Sequence, residues 1–390
     1  MSHVSESVEL PTETKLTYHW WFLIVGVVLI MTVVHVFPLF KVKEPEMAEN
    51  RVLASLPPFP KSVPEWAALP AKLDAFVIDQ FPLRTQMITR LNFVRYTVGY
   101  SGSKRIIVGQ NGWLFYDDGS HLSLMSGSLI LDKPSVDAWV SGFRQRVDYL
   151  KKRDTKFYFM VAPVKEDIYP ENRPKWMPEV RVTTEIDEII NASRKAGFDQ
   201  IIDPREAIFL ERQNQKLYDE FDTHWTGLGA YIAYQQLMTR MSKDFADLQP
   251  LPMAAFTPVP VTKAGTPRDL SLMLGISDFV PHDRVSFAGM QTHPPEKTTF
   301  LSDNHSWVAP QVLHTEAKTG KTLLLLRDSF STELLPLLKK HFDTIVMAHV
   351  QDGFFRTDLI EQFNPDAVAI VVIETGTRHS MGMIPSLSEP

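Results

Sequence analysis

The chain has 390 residues, 44% of them hydrophobic and 22% charged, with no cysteine and a formal net charge of -6. That composition supplies a large core and excludes a disordered chain. The lack of cysteine excludes disulfides, thiolate metal sites and a thiol nucleophile, and an acidic balance without a Lys/Arg-rich run gives no field for nucleic acid.

The first element in chain order is apolar. From Trp20 to Phe40 there is no Asp, Glu, Lys or Arg, which suffices to cross a hydrocarbon core of ~30 Å as a helix of about 20 residues. Tyr18, Trp20 and Trp21 at one end and Lys41 and Lys43 at the other suit the two interfaces. The stretch is long for a signal peptide and no small-x-small cleavage site follows it, so an uncleaved signal anchor over 20–40 is expected, with residues 1–19 as a cytoplasmic tail. Lys15 precedes the span while Lys41, Lys43 and Arg51 follow it, which on charge alone favours the opposite topology. Long domains translocate largely regardless of local charge, and the chain beyond about Lys41 is placed outside on that ground.

Residues 41–70 form a Pro-rich linker containing Leu56-Pro57-Pro58-Phe59-Pro60, read as an extended connector. Ala71 to Tyr100 has helical apolar spacing, and Ile106 to Val108 with Trp113 to Tyr116 flank Gly109-Gln110-Asn111-Gly112 as a hairpin. An alternation then begins: helix from Ser135 to Lys152, strand from Phe157 to Val161, helix from Thr184 to Ala196, strand from Gln200 to Ile202, helix from Gly227 to Met241. About 243–320 is rich in Pro, Thr, Ser and Asp and lacks a sustained period, so it reads as an insertion of short strands and loops. The alternation resumes with strand Thr322 to Leu326, helix Thr332 to His341, strand Thr344 to Met347, helix Thr357 to Phe363 and strand Ala367 to Ile373. This rhythm predicts a parallel sheet with helices on both faces, a three-layer αβα domain over 71–390.

Leu323 to Leu326 is an apolar run that ends abruptly in Arg327-Asp328-Ser329-Phe330-Ser331 before a helix. In open α/β sheets ligands bind at the carboxyl ends of strands. A hydroxyl at such a turn is exposed, and helix amides beside it can face a developing oxyanion. The competing reading is that Asp328, Ser329 or Ser331 caps the helix. A serine nucleophile needs a base, and the base an orienting carboxylate. Asp222-Thr223-His224-Trp225 offers both: at i and i+2 in extended chain the side chains share a side, so Asp222 can hold His224 Nδ1 and aim Nε2 outward. A metal reading of this pair finds no further His or carboxylate at ligand spacing, and no metal is expected.

Taken in this order, Asp222-Thr223-His224-Trp225 and then Arg327-Asp328-Ser329-Phe330, the chain resembles the AlgX/AlgJ-type polysaccharide O-acetyltransferases. Their SGNH-hydrolase-like domain carries Asp-x-His-Trp ahead of the serine block, whereas ordinary SGNH hydrolases carry the serine first. Glu49-Asn50-Arg51, Phe81-Pro82-Leu83-Arg84, Gly109 to Phe115, Ala162-Pro163-Val164-Lys165 with Ile168-Tyr169-Pro170, and Asn364-Pro365-Asp366 are similar landmarks.

The resemblance implies acetyl transfer to an exported polysaccharide through an acetyl-serine, with Ser329 as nucleophile, His224 as general base and acid, and Asp222 as orienting carboxylate. It implies no cofactor. Its expected partners are the polysaccharide acceptor, a membrane-bound acyl donor protein of the MBOAT type, other export and modification proteins, and a bacterial inner membrane with the catalytic domain in the periplasm. A deacetylating esterase and a polymer-binding scaffold without catalysis are the other readings. Arg327 stands where the SGNH block has glycine, and the second oxyanion donor is left open among Asn111, Asn172 and Asn304. Trp113, Lys165, Arg327 and Trp225 are candidate substrate contacts, the last shaping the site wall.

Overall fold

A computed structural model of the protein describes residues 18–36, 45, 47, 52–177, 183–261, 268–287, 297–384 and 387. The chain divides into two compact units, one taking in Glu49–Leu91 and the other Asn92–Pro390.

The N-terminal part begins with helix α1 (Tyr18–Val36). Among the described residues no helix is long and apolar enough to cross a membrane, and residues 37–40 of the expected span lie outside the described residues. The extended connector ends earlier than its prolines implied, because α2 (Val63–Asp79) starts within it. Pro64 sits in the first turn, where the missing N–H has no partner to lose, while Pro70 lies inside the helix. The helical spacing after Ala71 belongs to two helices, α2 and α3 (Arg84–Thr97), separated at Phe81-Pro82.

After the end of α3, the larger unit continues with the hairpin β1 (Ile106–Val108) and β2 (Leu114–Tyr116), paired Ile106 to Tyr116 and Val108 to Leu114. Its turn needs left-handed backbone at Asn111 and Gly112, with φ of 55° and 79°, conformations that asparagine and glycine tolerate. Then follow α4 (His121–Met125), α5 (Lys133–Lys151), β3 (Lys156–Ala162), α6 (Lys165–Ile168), α7 (Glu185–Lys195), β4 (Ile201–Ile202), α8 (Arg205–Glu211) and α9 (Gly227–Met241). The irregular stretch holds β5 (Val259–Val261), α10 (Asp269–Leu274), β6 (Arg284–Ser286), β7 (Lys297–Phe300) and β8 (Gln311–His314). The last elements are β9 (Thr322–Arg327), α11 (Ser331–Leu338), β10 (Thr344–His349), α12 (Thr357–Phe363) and β11 (Ala367–Ile373).

The main sheet has seven strands in the order β4-β3-β11-β9-β10-β8-β7. The first five are mutually parallel, and β8 and β7 complete the edge antiparallel. Thus part of the aperiodic stretch extends the sheet, while β5 and β6 pair separately.

Period-two alternation explains the layers. Leu323, Leu325, Tyr158, Met160, Ala369 and Val371 face a core shared with α9 and α11. Leu324, Leu326, Phe159, Val161, Ile370 and Val372 face the opposite core, shared with α5, α7 and α12. Strands buried on both faces have no polar side, which is why they read as continuous apolar runs. Each fully buried leucine contributes roughly 1.5–3 kcal/mol by leaving water.

Candidate active site

The site lies at the carboxyl edge of the parallel strands. After β9 the Asp328 amide donates to the Val371 carbonyl at 3.2 Å, keeping the chain beside β11. The Asp328 carboxylate then accepts the amides of Phe330 at 2.9 Å and Ile373 at 2.6 Å. Burial pushes this carboxyl up, and those two amide donors oppose the shift. Ser331 rather than Ser329 turns back on the chain, its Oγ donating to the Asp328 carbonyl at 2.8 Å. The capping alternative for Ser329 is not realised: its hydroxyl lies 2.7 Å from His224 Nε2.

His224 is delivered by a tight excursion between Tyr218 and Trp225, which bridge antiparallel. At its base the Thr226 amide donates to the Leu217 carbonyl at 2.8 Å, and Thr226 caps α9 by accepting from the Gly229 amide. From below, the buried Lys165 ammonium donates to the carbonyls of Asp219, Glu220 and Asp222 at 3.0, 3.2 and 2.7 Å. Burial pushes its pKa down to about 8, against the pull of nearby carboxylates headed by Glu166.

Asp222 Oδ1 lies 2.7 Å from His224 Nδ1 and also accepts the His224 amide at 3.1 Å. Its Oδ2 accepts from Arg284 on β6 at 2.8 Å. Burial alone would raise the Asp222 carboxyl, but the His224 hydrogen bond and charge, with Arg284, outweigh it and hold the group well below the usual carboxylate range. A carboxylate only accepts, so in the neutral ring the proton sits on His224 Nδ1 and Nε2 offers its lone pair to Ser329. Burial likewise lowers His224, yet the Asp222 bond and charge raise it on balance.

Asp269, at the start of α10, accepts the Thr223 amide at 2.7 Å and brings its other oxygen within 3.8 Å of His224 Nδ1. Burial and the charge of Asp222 push its carboxyl up. Asp222, His224 and Asp269 thereby present ligand-type atoms within 4.8 Å of one another. The donors already bound by Asp222, with a guanidinium among them, make this a hydrogen-bond network. Asp269 and Arg284 escaped the sequence reading because both come from the aperiodic stretch.

Ser329 and His224 open into a cavity of about 370 Å³ that also reaches Tyr116, His121, His349 and Thr375. The four candidate substrate contacts need correction. Trp113 is buried, its ring 4.5 Å from Tyr169, and Lys165 is buried beside it with the ammonium 5.5 Å from the indole. Trp225 is buried and donates its indole N–H to the Phe330 carbonyl at 3.0 Å, so it braces the wall from behind. Arg327 is buried and donates to the Trp307 carbonyl at 2.8 Å. Nor is any of Asn111, Asn172 and Asn304 among the residues lining the cavity; Asn111, in the hairpin turn, donates to Asn172 beyond α6 at 2.9 Å. Aromatic and basic character marked these residues in the sequence, but burial turned them inward.

A family model described as "SGNH hydrolase-like domain, acetyltransferase AlgX" matches residues 106–354, well over half of the chain. The chain belongs to this family. Among its relatives, the "Probable alginate O-acetylase AlgJ" of Pseudomonas aeruginosa is 27% identical over 187 residues, covering 45% of this chain and 46% of its own length. The protein of the same name from Azotobacter vinelandii is 23% identical over 255 residues, 65% and 62% of the two chains. The chain thus spans between about half and under two thirds of these curated relatives. In structure, Bacillus cereus PatB1 superposes with a TM-score of 0.51 at 15% identity, covering 70% of this chain and 96% of its own, a likeness of fold. Family membership confirms the expected α/β SGNH-like architecture.

Proposed function

We propose that this AlgX-family chain transfers acetyl groups to hydroxyls of an exported polysaccharide, with Ser329 as nucleophile, His224 as base and acid, and Asp222 as the group that orients and charges His224. One observation carries the reading: a single line of short contacts runs from Asp222 Oδ1 through the His224 ring to Ser329 Oγ, each 2.7 Å long. In the first half-reaction Ser329 Oγ attacks the acetyl carbonyl as its proton moves to His224 Nε2. The same proton then passes to the departing donor group, leaving an acetyl-serine and a neutral histidine. In the second half, a sugar hydroxyl gives its proton to Nε2 and attacks the ester, and Ser329 recovers that proton as it leaves. The Ser329 amide donates to no carbonyl among the described residues, which leaves it for the developing oxyanion.

The names of the relatives support alginate as one acceptor. The charge-free stretch from Trp20 to Phe40 supports an inner-membrane anchor, with the chain beyond about Lys41 in the periplasm. That placement separates the site from cytoplasmic acetyl donors and calls for a membrane acyl carrier of the MBOAT type and other export proteins as partners.

The test is incubation with an aryl acetate and intact-mass spectrometry. Wild-type protein gains one acetyl group at Ser329, Ser329→Ala gains none, and adding oligosaccharide moves the label to sugar. Full aryl-ester turnover by Ser329→Ala would overturn the assignment. Acetate released to water with none on any oligosaccharide would make the chain an esterase, and glycan binding without acetylation would make it a scaffold.

A further inference from the structure

Arg327 and His349 are the last residues of β9 and β10 and are register partners across that parallel pair. They stand side by side at the sheet edge from which Ser329 emerges, and His349 lines the same cavity as Ser329. Above them lies Trp307, in the connection between β7 and β8. Its carbonyl accepts from Arg327 at 2.8 Å and from Gln311 at 3.2 Å, which fixes the backbone of this connection to the sheet. Its indole meets the His349 ring nearly edge-on, with centroids 5.1 Å apart and an interplanar angle of 82°. The Arg327 guanidinium carbon lies 5.2 Å from the indole centroid. With its backbone and ring both held in this way, Trp307 remains 49% exposed.

From this placement we infer that Trp307 is an acceptor platform, stacking one pyranose ring of the polysaccharide beside the catalytic cavity. The inference rests on the function proposed above and names the residue that grips its acceptor. A pyranose presents axial C–H groups on one face and hydroxyls around its rim. The C–H face suits a flat apolar surface that the polar groups of the cavity do not offer. Holding the indole in place beforehand reduces the ordering cost of binding a flexible polymer. The guanidinium and the imidazole packed against the indole restrict its rotation, and the strand register of Arg327 and His349 ties its position to that of Ser329.

Two readouts test this with Trp307→Ala, Trp307→Phe and, as a control, Trp176→Ala, another exposed tryptophan. The first is calorimetric binding of an alginate hexasaccharide and a cello-hexaose to protein carrying Ser329→Ala. The platform predicts that Trp307→Ala weakens binding of at least one of them about tenfold, the size of one aromatic contact, that Trp307→Phe restores most of it, and that the control matches the parent. The second is acetyl transfer from an aryl acetate, where Trp307→Ala raises KM for the bound oligosaccharide by a similar factor and slows the acetylation of Ser329 far less. Unchanged affinity in Trp307→Ala, no binding by the parent at millimolar oligosaccharide, or equal losses in Ser329 acetylation and in oligosaccharide KM would each overturn the platform. Wild-type protein that binds oligosaccharide through Trp307 but never transfers acetyl would overturn the proposed reaction and leave the platform standing.

Discussion

Asp222 serves three donors at once, and replacing it by asparagine exposes how they are arranged. Oδ1 faces His224 Nδ1 and the His224 amide, and Oδ2 faces Arg284. Asparagine has one accepting oxygen and one donating nitrogen for the same three N–H groups. With its oxygen toward His224, its nitrogen is driven against Arg284. Turned over, it forces the His224 proton onto Nε2, where the ring cannot accept from Ser329. Either arrangement leaves a buried donor unpaired, a cost of about 1–3 kcal/mol. Asp222→Asn is therefore expected to lower kcat/KM for an aryl acetate by about 10³–10⁴. Arg284→Met removes the donor that opposes the productive orientation. In the double variant the asparagine should cost less by ~1–3 kcal/mol, or about 5- to 150-fold. Four proteins assayed at one pH complete the cycle. Additivity within about 0.5 kcal/mol would refute the claim that Arg284 and His224 share one carboxylate.

Because Asp222 raises His224 and the base acts in its neutral form, aryl-ester kcat/KM should rise through an inflection above the ordinary imidazole value of ~6.5. Asp222→Asn should move that inflection downward in the same pH series. The raised His224 also contributes stability that is complete below ~6.5 and lost as pH climbs through its folded value, which thermal melting in Ser329→Ala reads without turnover. Lys165→Met should strip the donor from three buried carbonyls, at a cost of about 1–3 kcal/mol each. Calorimetry would read this as a Tm decrease of roughly 2–4 °C per kcal/mol. With its folded pKa near about 8, below the unfolded ~10.4, Lys165 makes wild-type stability rise with pH between those values, a rise that Lys165→Met should abolish. In Gly229→Ala the added Cβ would stand 2.4 Å from the Leu217 carbonyl oxygen and 2.8 Å from Trp225 Cβ. A backbone carbonyl cannot swing aside, so denaturant melts should show about 1–3 kcal/mol lost.

The sheet was legible because its strands are buried on both faces, so Phe157 to Val161, Thr322 to Leu326 and Ala367 to Ile373 stand out as apolar runs between amphipathic helices. Helix starts were legible where a cap belongs to its own helix, as at Thr184, which forms a capping box with Asp187, and at Thr226. The serine and the Asp-x-His pair were legible because each lies next to such an element. What surrounds them was not. Arg284, Asp269 and Trp307 sit in chain with no periodic signal, and their positions depend on tertiary pairing over long separations, such as the 62 positions that separate Arg284 from Asp222. Trp113 and Lys165 failed in the opposite sense. Their chemistry suits a glycan site, but the fold uses Lys165 to hold the Asp219–Asp222 backbone from beneath and buries Trp113 beside its ammonium.

Asp328 joins the amide two residues after it to an amide 45 residues further along, at the end of β11. The turn bearing the nucleophile therefore hangs from two neighbouring strands, β9 and β11. Trimming the protein into a smaller catalytic fragment meets a hard boundary here. A cut that frays β11 before Ile373 would release the serine turn from its strut while every residue of the Asp-His-Ser line remained in place. A strand far beyond the nucleophile in sequence is thus part of its support.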